Sequence, residues 1–238
     1  MPRNSLNGFR FRVLYFRGTN YKVPSRIRVA KKGVSLRYLD EPGISSDFIE
    51  CLIYNVYGLG QRLRQVRTIL DIGANVGFFS LAAKEYYPDA IIHAYEPNPR
   101  VQKLLRANVE GLNIEVYPEA VGGQAGQVTL SDESVSNMAR TCPSQDAKGG
   151  IAQIRLDAAV ERIGGAVDLL KMDCEGAEWE MFGLADSWDS IKNVRMEYHL
   201  YRGESVEQVM QTLSGLGFRI TRLGPQRNDM GIIWGSRD

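Results

Sequence analysis

Residues 68–79 read TILDIGANVGFF, and this stretch decides the fold. An apolar run, Thr68-Ile69-Leu70, meets an acid at Asp71, and Gly73 and Gly77 follow, separated by three residues, before a second apolar segment begins. The pattern predicts a strand ending in a tight turn that opens into a helix. Glycine permits the turn and a close backbone approach, and the first turn of a helix aims unpaired N–H groups at whatever is bound. A dinucleotide-binding loop would space its glycines G-x-G-x-x-G; here Ala74, Asn75 and Val76 intervene. Asp71 also sets a carboxylate beside the loop, which disfavours a pyrophosphate and suits a ligand with an ammonium or sulfonium charge.

Outward from this stretch, strand and helix patterns alternate. A helix is predicted from about Gly77 to Tyr87, then a strand AIIHAYE (90–96). The next helix is framed by Asn98-Pro99 and Gly111, with Val101, Leu104, Leu105 and Val109 on one face. Further strands are predicted at IEVYPEAV (114–121), QVTLS (127–131), AQIRL (152–156), VDLLKMD (167–173) and NVRMEYH (193–199). Ser205 with Gln208 forms a capping box before an apolar stripe, and FRITRL (218–223) with GIIW (231–234) makes a terminal hairpin. Such alternation predicts an α/β domain, a mostly parallel sheet with helices on both faces, whose ligands sit beyond the carboxyl ends of the strands.

Upstream, Phe9, Phe11, Val13 and Tyr15 alternate with other residues, and RIRVA (26–30) and VSLRYL (34–39) flank a Lys-Lys-Gly turn. These segments predict a small β-rich N-terminal addition. A leading helix follows from Asp47 to about Tyr57, dividing the chain into an arm with leading helix (1–58) and the main domain (59–238). The polar segment 132–150 is a candidate lid or acceptor loop.

The 238 residues, 44% hydrophobic and 24% charged, fit one globular domain with additions. No segment lacks charge for more than 12 positions, too short for a membrane-spanning helix. The N-terminus has no signal-like apolar core, so a cytoplasmic location is the default. Cys51, Cys142 and Cys174 are odd in number and widely spaced, and read as reduced thiols. Charge is uneven: residues 1–37 hold ten Lys or Arg and no acid, leaving 19 basic against 28 acidic residues afterwards. Such an arm marks either solvated strand faces or a surface for phosphates, acidic lipid or nucleic acid.

The strand ends carry the candidate chemistry. Glu96, 25 residues beyond Asp71, stands where an acid can accept hydrogen bonds from both hydroxyls of a ribose. Glu119 and Ala120 lie where an adenine edge would be met. DLLKMDCEGAEWEMF (168–182) groups Asp173, Glu175, Glu178 and Glu180 within eight residues, and such acids can position a cationic cofactor, act as general base or hold a divalent ion. Glu178 and Glu180 suit a helix N-terminus; Trp179 and Phe182 suit the core. MEYHLY puts Glu197 and His199 on one face of a strand. His199 is either a proton acceptor or structural, whereas His93, inside an apolar strand, reads as a satisfied core histidine.

Together, LDIGANVGFFS, AYEPNP, EAVGG, LLKMDCEGAEWEMF and MEYH resemble the FkbM-type family of S-adenosylmethionine-dependent methyltransferases over about residues 45–200. The resemblance implies the class I (Rossmann-like) fold, a seven-stranded sheet with an antiparallel terminal strand. Carried over by position, Asp71, Gly73, Ala74, Asn75 and Gly77 would surround the amino acid part of S-adenosylmethionine. Glu96 and Pro97 would hold the ribose, Glu119 and Ala120 would lie near adenine, and Asp173 would approach the methionine end. The implied chemistry is O-methylation of a secondary metabolite, sugar or glycan, with Asp173, Glu175 and His199 as candidates for the base or for orienting the acceptor. No metal site is assigned. Asp173 and Glu175 can bind magnesium, but two alternating carboxylates do not alone supply an octahedral shell. Competing readings are a nicotinamide oxidoreductase, a nucleic-acid methyltransferase or RNA-binding module using the basic arm, and a domain that binds the cofactor without catalysis. The oligomeric state is not legible.

Overall fold

The computed structural model describes residues 3–15, 21–61, 63, 65–131, 141–143 and 150–237. The polar segment read as a lid or acceptor loop lies outside these, apart from 141–143 and Gly150. The N-terminal part holds α1 (Arg3–Arg10), the hairpin β1 (Arg26–Val29) and β2 (Lys32–Ser35), and α2 (Ile44–Phe48), which runs directly into a π-helical stretch, Ile49–Tyr54. The rest starts with the predicted alternation, β3 (Thr68–Ile72), α3 (Phe78–Tyr86), β4 (Ile91–Tyr95) and α4 (Pro99–Val109), and goes on through β5 (Ile114–Tyr117), β6 (Ala120–Gly122), β7 (Gly126–Leu130), β8 (Thr141–Pro143), a strand inside the segment read as a loop, and β9 (Ile151–Arg155). Then come α5 (Leu156–Arg162), β10 (Leu169–Met172), the short helices α6 (Glu178–Met181) and α7 (Ala185–Trp188), β11 (Asn193–His199), α8 (Val206–Gly215), β12 (Arg219–Leu223) and β13 (Met230–Ser236).

The main sheet has seven strands in the order β12-β13-β11-β10-β3-β4-β5. Its ladders are parallel except where β13 pairs with β11 and β12. This is the seven-stranded arrangement with one antiparallel terminal strand implied by the resemblance. Successive residues of a strand face opposite sides, so Ile69 joins one apolar cluster while Leu70 and Ile72 join another. The first cluster contains the N-terminal segment, α3 and α4; the second contains α5 to α8. Caps follow the sequence: the Asn98 side chain accepts from Arg100 N at the head of α4, and Ser205 with Gln208 closes a capping box on α8.

Three local readings need correction. The alternation from Phe9 to Tyr15 is no strand: α1 ends at Arg10, Arg12 turns with φ 58°, and the N–H groups of Phe11 and Val13 both donate to Gly8 O. That turn buries Phe11 and Val13 together and leaves Phe9 outside, so apolar period alone misassigned the backbone. The predicted strand 114–121 splits at Pro118 into β5 of the main sheet and β6 of a second, four-stranded sheet ordered β6-β9-β7-β8. Proline has no N–H for a ladder, and the chain changes sheets there. The leading helix begins three residues early and widens into π geometry before closing at Asn55, left-handed at φ 52°.

On β1 of the basic arm Arg26 is exposed and Arg28 half-buried, while Ile27 and Val29 are buried. Others serve the chain's own fold: Arg10 lies 4.5 Å over the Tyr86 ring and Lys32 donates to Gly111 O at 2.7 Å. No helix among the described residues is long and apolar enough to cross a membrane. Cys51, Cys142 and Cys174 are unbridged.

Because one apolar cluster spans both parts, we predict that segments 1–58 and 59–238 unfold together. Phe48 is fully buried, stacked on Tyr21 and edge-on to Phe78. Phe48→Ala should cost about 3–5 kcal/mol and shift one common transition in denaturant; a second transition moving alone would show a separate N-terminal unit.

Candidate active site

The exits of β3, β4, β10 and β11 converge on one cleft of about 380 Å³. At the β4 exit, Glu96 accepts from the backbone N–H groups of Asn75 and Asn98, both at 2.7 Å. Burial pushes its carboxyl up to about 7 against the pull of those two bonds. The β3 loop is tied down in turn, since the N–H groups of Gly73 and Ala74 both donate to Tyr95 O. Gly73 sits at φ 76°, and a Cβ there would stand 1.8 Å from Asp173 O, so glycine lets the β3 loop touch the β10 exit. Asn75 Oδ1 is buried without a hydrogen-bond partner.

Behind this floor lies a buried charge chain. Lys171 stands opposite Asp71 in the β10–β3 ladder, with its Nζ 3.3 Å from Asp71 Oδ1 and 3.6 Å from Asp173 Oδ2. It also donates to Gly73 O at 2.6 Å. Burial acts to lower the lysine pKa, but Asp71 and Asp173 outweigh it and the group is held charged, above its ordinary value. Ser80 of α3 donates to the other oxygen of Asp71 at 2.6 Å. Asp71 is wholly buried, is not among the residues that line the cleft, and lies against Lys171. Gly77 likewise serves packing, where a Cβ would press 2.7 Å from Leu105 Cδ1.

The β10 exit brings Asp173, Glu175 and His199 together, with one ligand atom from each within 4.8 Å of the others. Tyr57 donates to Asp173 Oδ2 at 3.2 Å, and Tyr201 to Glu175 Oε2 at 2.8 Å. Glu175 adopts φ 55°, rare for a residue with a side chain, followed by Gly176 at φ 104°. Burial lifts Glu175 to about 7 and, with the Asp173 charge, Glu197 to about 9. His199 is 1% exposed, and its Nδ1 lies 3.2 Å from Glu178 Oε1. Burial would lower the His199 pKa, but the Glu178 bond and the charges of Glu178, Glu175 and Asp173 carry it up to about 9.

Of the residues expected from sequence, Gly73, Ala74, Asn75, Glu96, Pro97, Glu119, Ala120, Asp173 and Glu175 line the cleft. His199 faces an adjoining cavity that shares Glu175 and Tyr201 with it. Glu119 is also paired with Arg162. Sequence reading missed Lys171, although a single charge inside LLKM, two residues before Asp173 and so on its face, was a usable signal. It missed Tyr57, Glu50 and Cys51 of the leading segment, which close one side of the cleft. Glu178, read as a helix-terminal charge, is wholly buried against His199. His93 is buried, yet its Nδ1 has no partner and its Nε2 lies 3.7 Å from Glu115, so it is not the satisfied histidine expected.

The methyltransferase FkbM domain profile matches residues 71–220. The chain belongs to the FkbM methyltransferase family. Relatives include methyltransferase sdnD of Sordaria araneosa, 30% identical over 65% of this chain and 74% of that one. Another is the 31-O-demethyl-FK506 methyltransferase FkbM of Streptomyces tacrolimicus, 27% identical over 68% and 76%. Among solved structures, the METTL16 methyltransferase domain shares the fold with a TM-score of 0.51 at 16% identity, covering 86% of this chain and 73% of that one. This FkbM-family chain is an S-adenosylmethionine-dependent methyltransferase. The cleft fits that cofactor: the Glu96 carboxylate can accept ribose hydroxyls, the orphaned Asn75 Oδ1 can accept from an ammonium, and the acidic β10 exit suits a sulfonium.

The Lys171 pairing generates a stability test. Lys171→Met leaves Asp71 buried beside an apolar chain and should cost about 3–5 kcal/mol. Adding Asp71→Asn should recover part of that loss in denaturant titration; a double variant no more stable than Lys171→Met would refute the pairing.

Proposed function

We propose that this methyltransferase alkylates a hydroxyl of a small-molecule acceptor, a secondary metabolite or a sugar. The observation that carries the reading is Glu175, a cleft carboxyl poised at about 7 and held by Tyr201, beside Asp173 at the same strand exit. A base poised near the working pH removes a hydroxyl proton most effectively. The name of the Streptomyces relative, a 31-O-demethyl-FK506 methyltransferase, points to an oxygen acceptor and supports the same reading.

When bound, S-adenosylmethionine supplies a methyl group on a sulfonium sulfur that departs as a neutral thioether. Gly73, Ala74 and Asn75 hold its amino acid part, Glu96 with Pro97 its ribose, and Glu119 with Ala120 the adenine side. Asp173 faces the methionine end. Glu175 orients the acceptor hydroxyl and takes its proton as the new carbon–oxygen bond forms. Alignment of acceptor with methyl supplies much of the rate. His199, a cation at neutral pH by its raised pKa, holds Glu175 in place rather than receiving the proton.

The test is incubation with S-adenosylmethionine and a panel of hydroxylated macrolides and sugars, with the product's methyl located by NMR. Glu175→Gln should lower kcat by roughly 10²–10⁴-fold with unchanged S-adenosylhomocysteine affinity. Methyl found only on nitrogen, carbon or an RNA pool would overturn the proposal. A pH series adds a second check. Glu96 accepts hydrogen bonds best when ionised, so S-adenosylhomocysteine affinity should rise as pH passes through about 7, and Glu96→Gln should abolish that rise. The same raised carboxyl stabilises the free fold below the ordinary carboxylate range, a contribution lost as pH climbs through about 7.

A further inference from the structure

The grouping of Asp173, Glu175 and His199 contains a feature that acid–base work leaves unexplained. His199 Nε2 is buried without a hydrogen-bond partner, and it points toward Glu175 Oε2 at 3.6 Å. The opposite nitrogen is fixed by Glu178, whose carboxylate is also wholly buried. With Nδ1 turned to the Glu178 carboxylate, loss of the other ring proton leaves the Nε2 lone pair directed outward, as it is in metal-bound histidines. Glu178 is fixed too, accepting from Cys174 N at 3.1 Å, so the orientation is built from the strand exit.

Charge points the same way. Glu50, Asp173, Glu175, Glu178 and Glu197 crowd one another at this end of the cleft, where Lys171 is already paired with Asp71 and Arg227 lies 3.5 Å from Glu50. A cation among these carboxyls would relieve their mutual repulsion. Spacing is compatible as well. Ligand atoms about 2.1 Å from an ion lie about 3 Å apart when adjacent and about 4.2 Å when opposite; the three protein atoms lie within 4.8 Å, so small side-chain rotations close the set. The left-handed Glu175–Gly176 turn folds the Glu175 carboxylate back toward His199.

We infer that Asp173, Glu175 and His199 hold a divalent cation at the acceptor end of the cleft, with Glu178 as the positioning residue behind His199. The ion takes the place of the Nε2 proton. Two carboxylates and one imidazole suit Mn²⁺ or its first-row neighbours better than Ca²⁺, which prefers oxygen alone. Glu175 and Asp173 line the cleft, so the remaining coordination positions open onto it, where oxygen atoms of the acceptor complete the shell. That last assignment rests on the O-methyl transfer reading; the cation site does not.

The chain has two histidines, which makes the test direct. Mn²⁺ is titrated into chelator-treated protein while the imidazole NMR signals of His93 and His199 are followed, with S-adenosylhomocysteine affinity measured on the same samples. One Mn²⁺ per chain should broaden His199 at lower Mn²⁺ than His93. Glu175→Gln should abolish the effect and Glu178→Gln should weaken Mn²⁺ binding about 10–100-fold, with thermal melts confirming that both variants fold. Mn²⁺ that leaves His199 sharp, or broadens it equally in Glu175→Gln, overturns the cation site. Should S-adenosylhomocysteine still bind in that case, methyl transfer stands without the ion. Mn²⁺ at His199 in protein that binds no S-adenosylhomocysteine would keep the site and remove the acceptor role given to it.

Discussion

The buried lysine between two strand-end acids holds the cleft in shape. Lys171 joins β10 to β3 through Asp71, reaches Asp173 at the exit, and fastens the glycine loop by its bond to Gly73 O. A buried ion pair is a poor source of net stability, because desolvation offsets most of the attraction. Its value here is positional. The lysine's distances are satisfied only when both strands are in register and the loop is folded over, so the arrangement that binds cofactor is the one in which no charge is stranded. Ser80 extends the constraint to α3, whose N-terminus begins directly after the loop.

The N-terminal segment completes the cleft rather than decorating it. Arg195 of β11, 1% exposed, donates to Tyr57 O, and Trp234 of β13 donates to Val56 O, so the far strands of the sheet hold the end of the π-helical segment. Gly58 is required beside them, since a Cβ there would sit 2.1 Å from the Trp234 ring. Held in this way, Tyr57 reaches Asp173 and Glu50 reaches the acidic wall. The π-helical turn lies in the segment that lines the site, a common setting for that geometry.

The main sheet was legible in the sequence because its signals are local. Strand-length apolar runs, Asn98 and Ser205 caps and the glycine pair each act within a few residues, and all agree with one topology. That Glu96, Asp173 and Glu175 gather at one cleft was legible for the same reason: strand ends mark the ligand side of such sheets. What escaped depends on partners far apart in the chain. Nothing near Asp71 says that Lys171 will consume its charge, since the pair is made by the β3–β10 ladder. Nothing near Glu178 says that its helix will turn it inward onto His199, 21 residues away. Phe9 to Tyr15 failed differently, because a period-two pattern over four apolar residues is too short to exclude a helix end and a turn.

The two ends of the cleft also treat charge differently, and this bears on what it admits. At the cofactor end Glu96 is satisfied by two backbone N–H groups and works through hydrogen bonds. At the β10 exit carboxyls crowd one another and raise one another's pKa values, so the groups that line it favour an arriving cation over an anion.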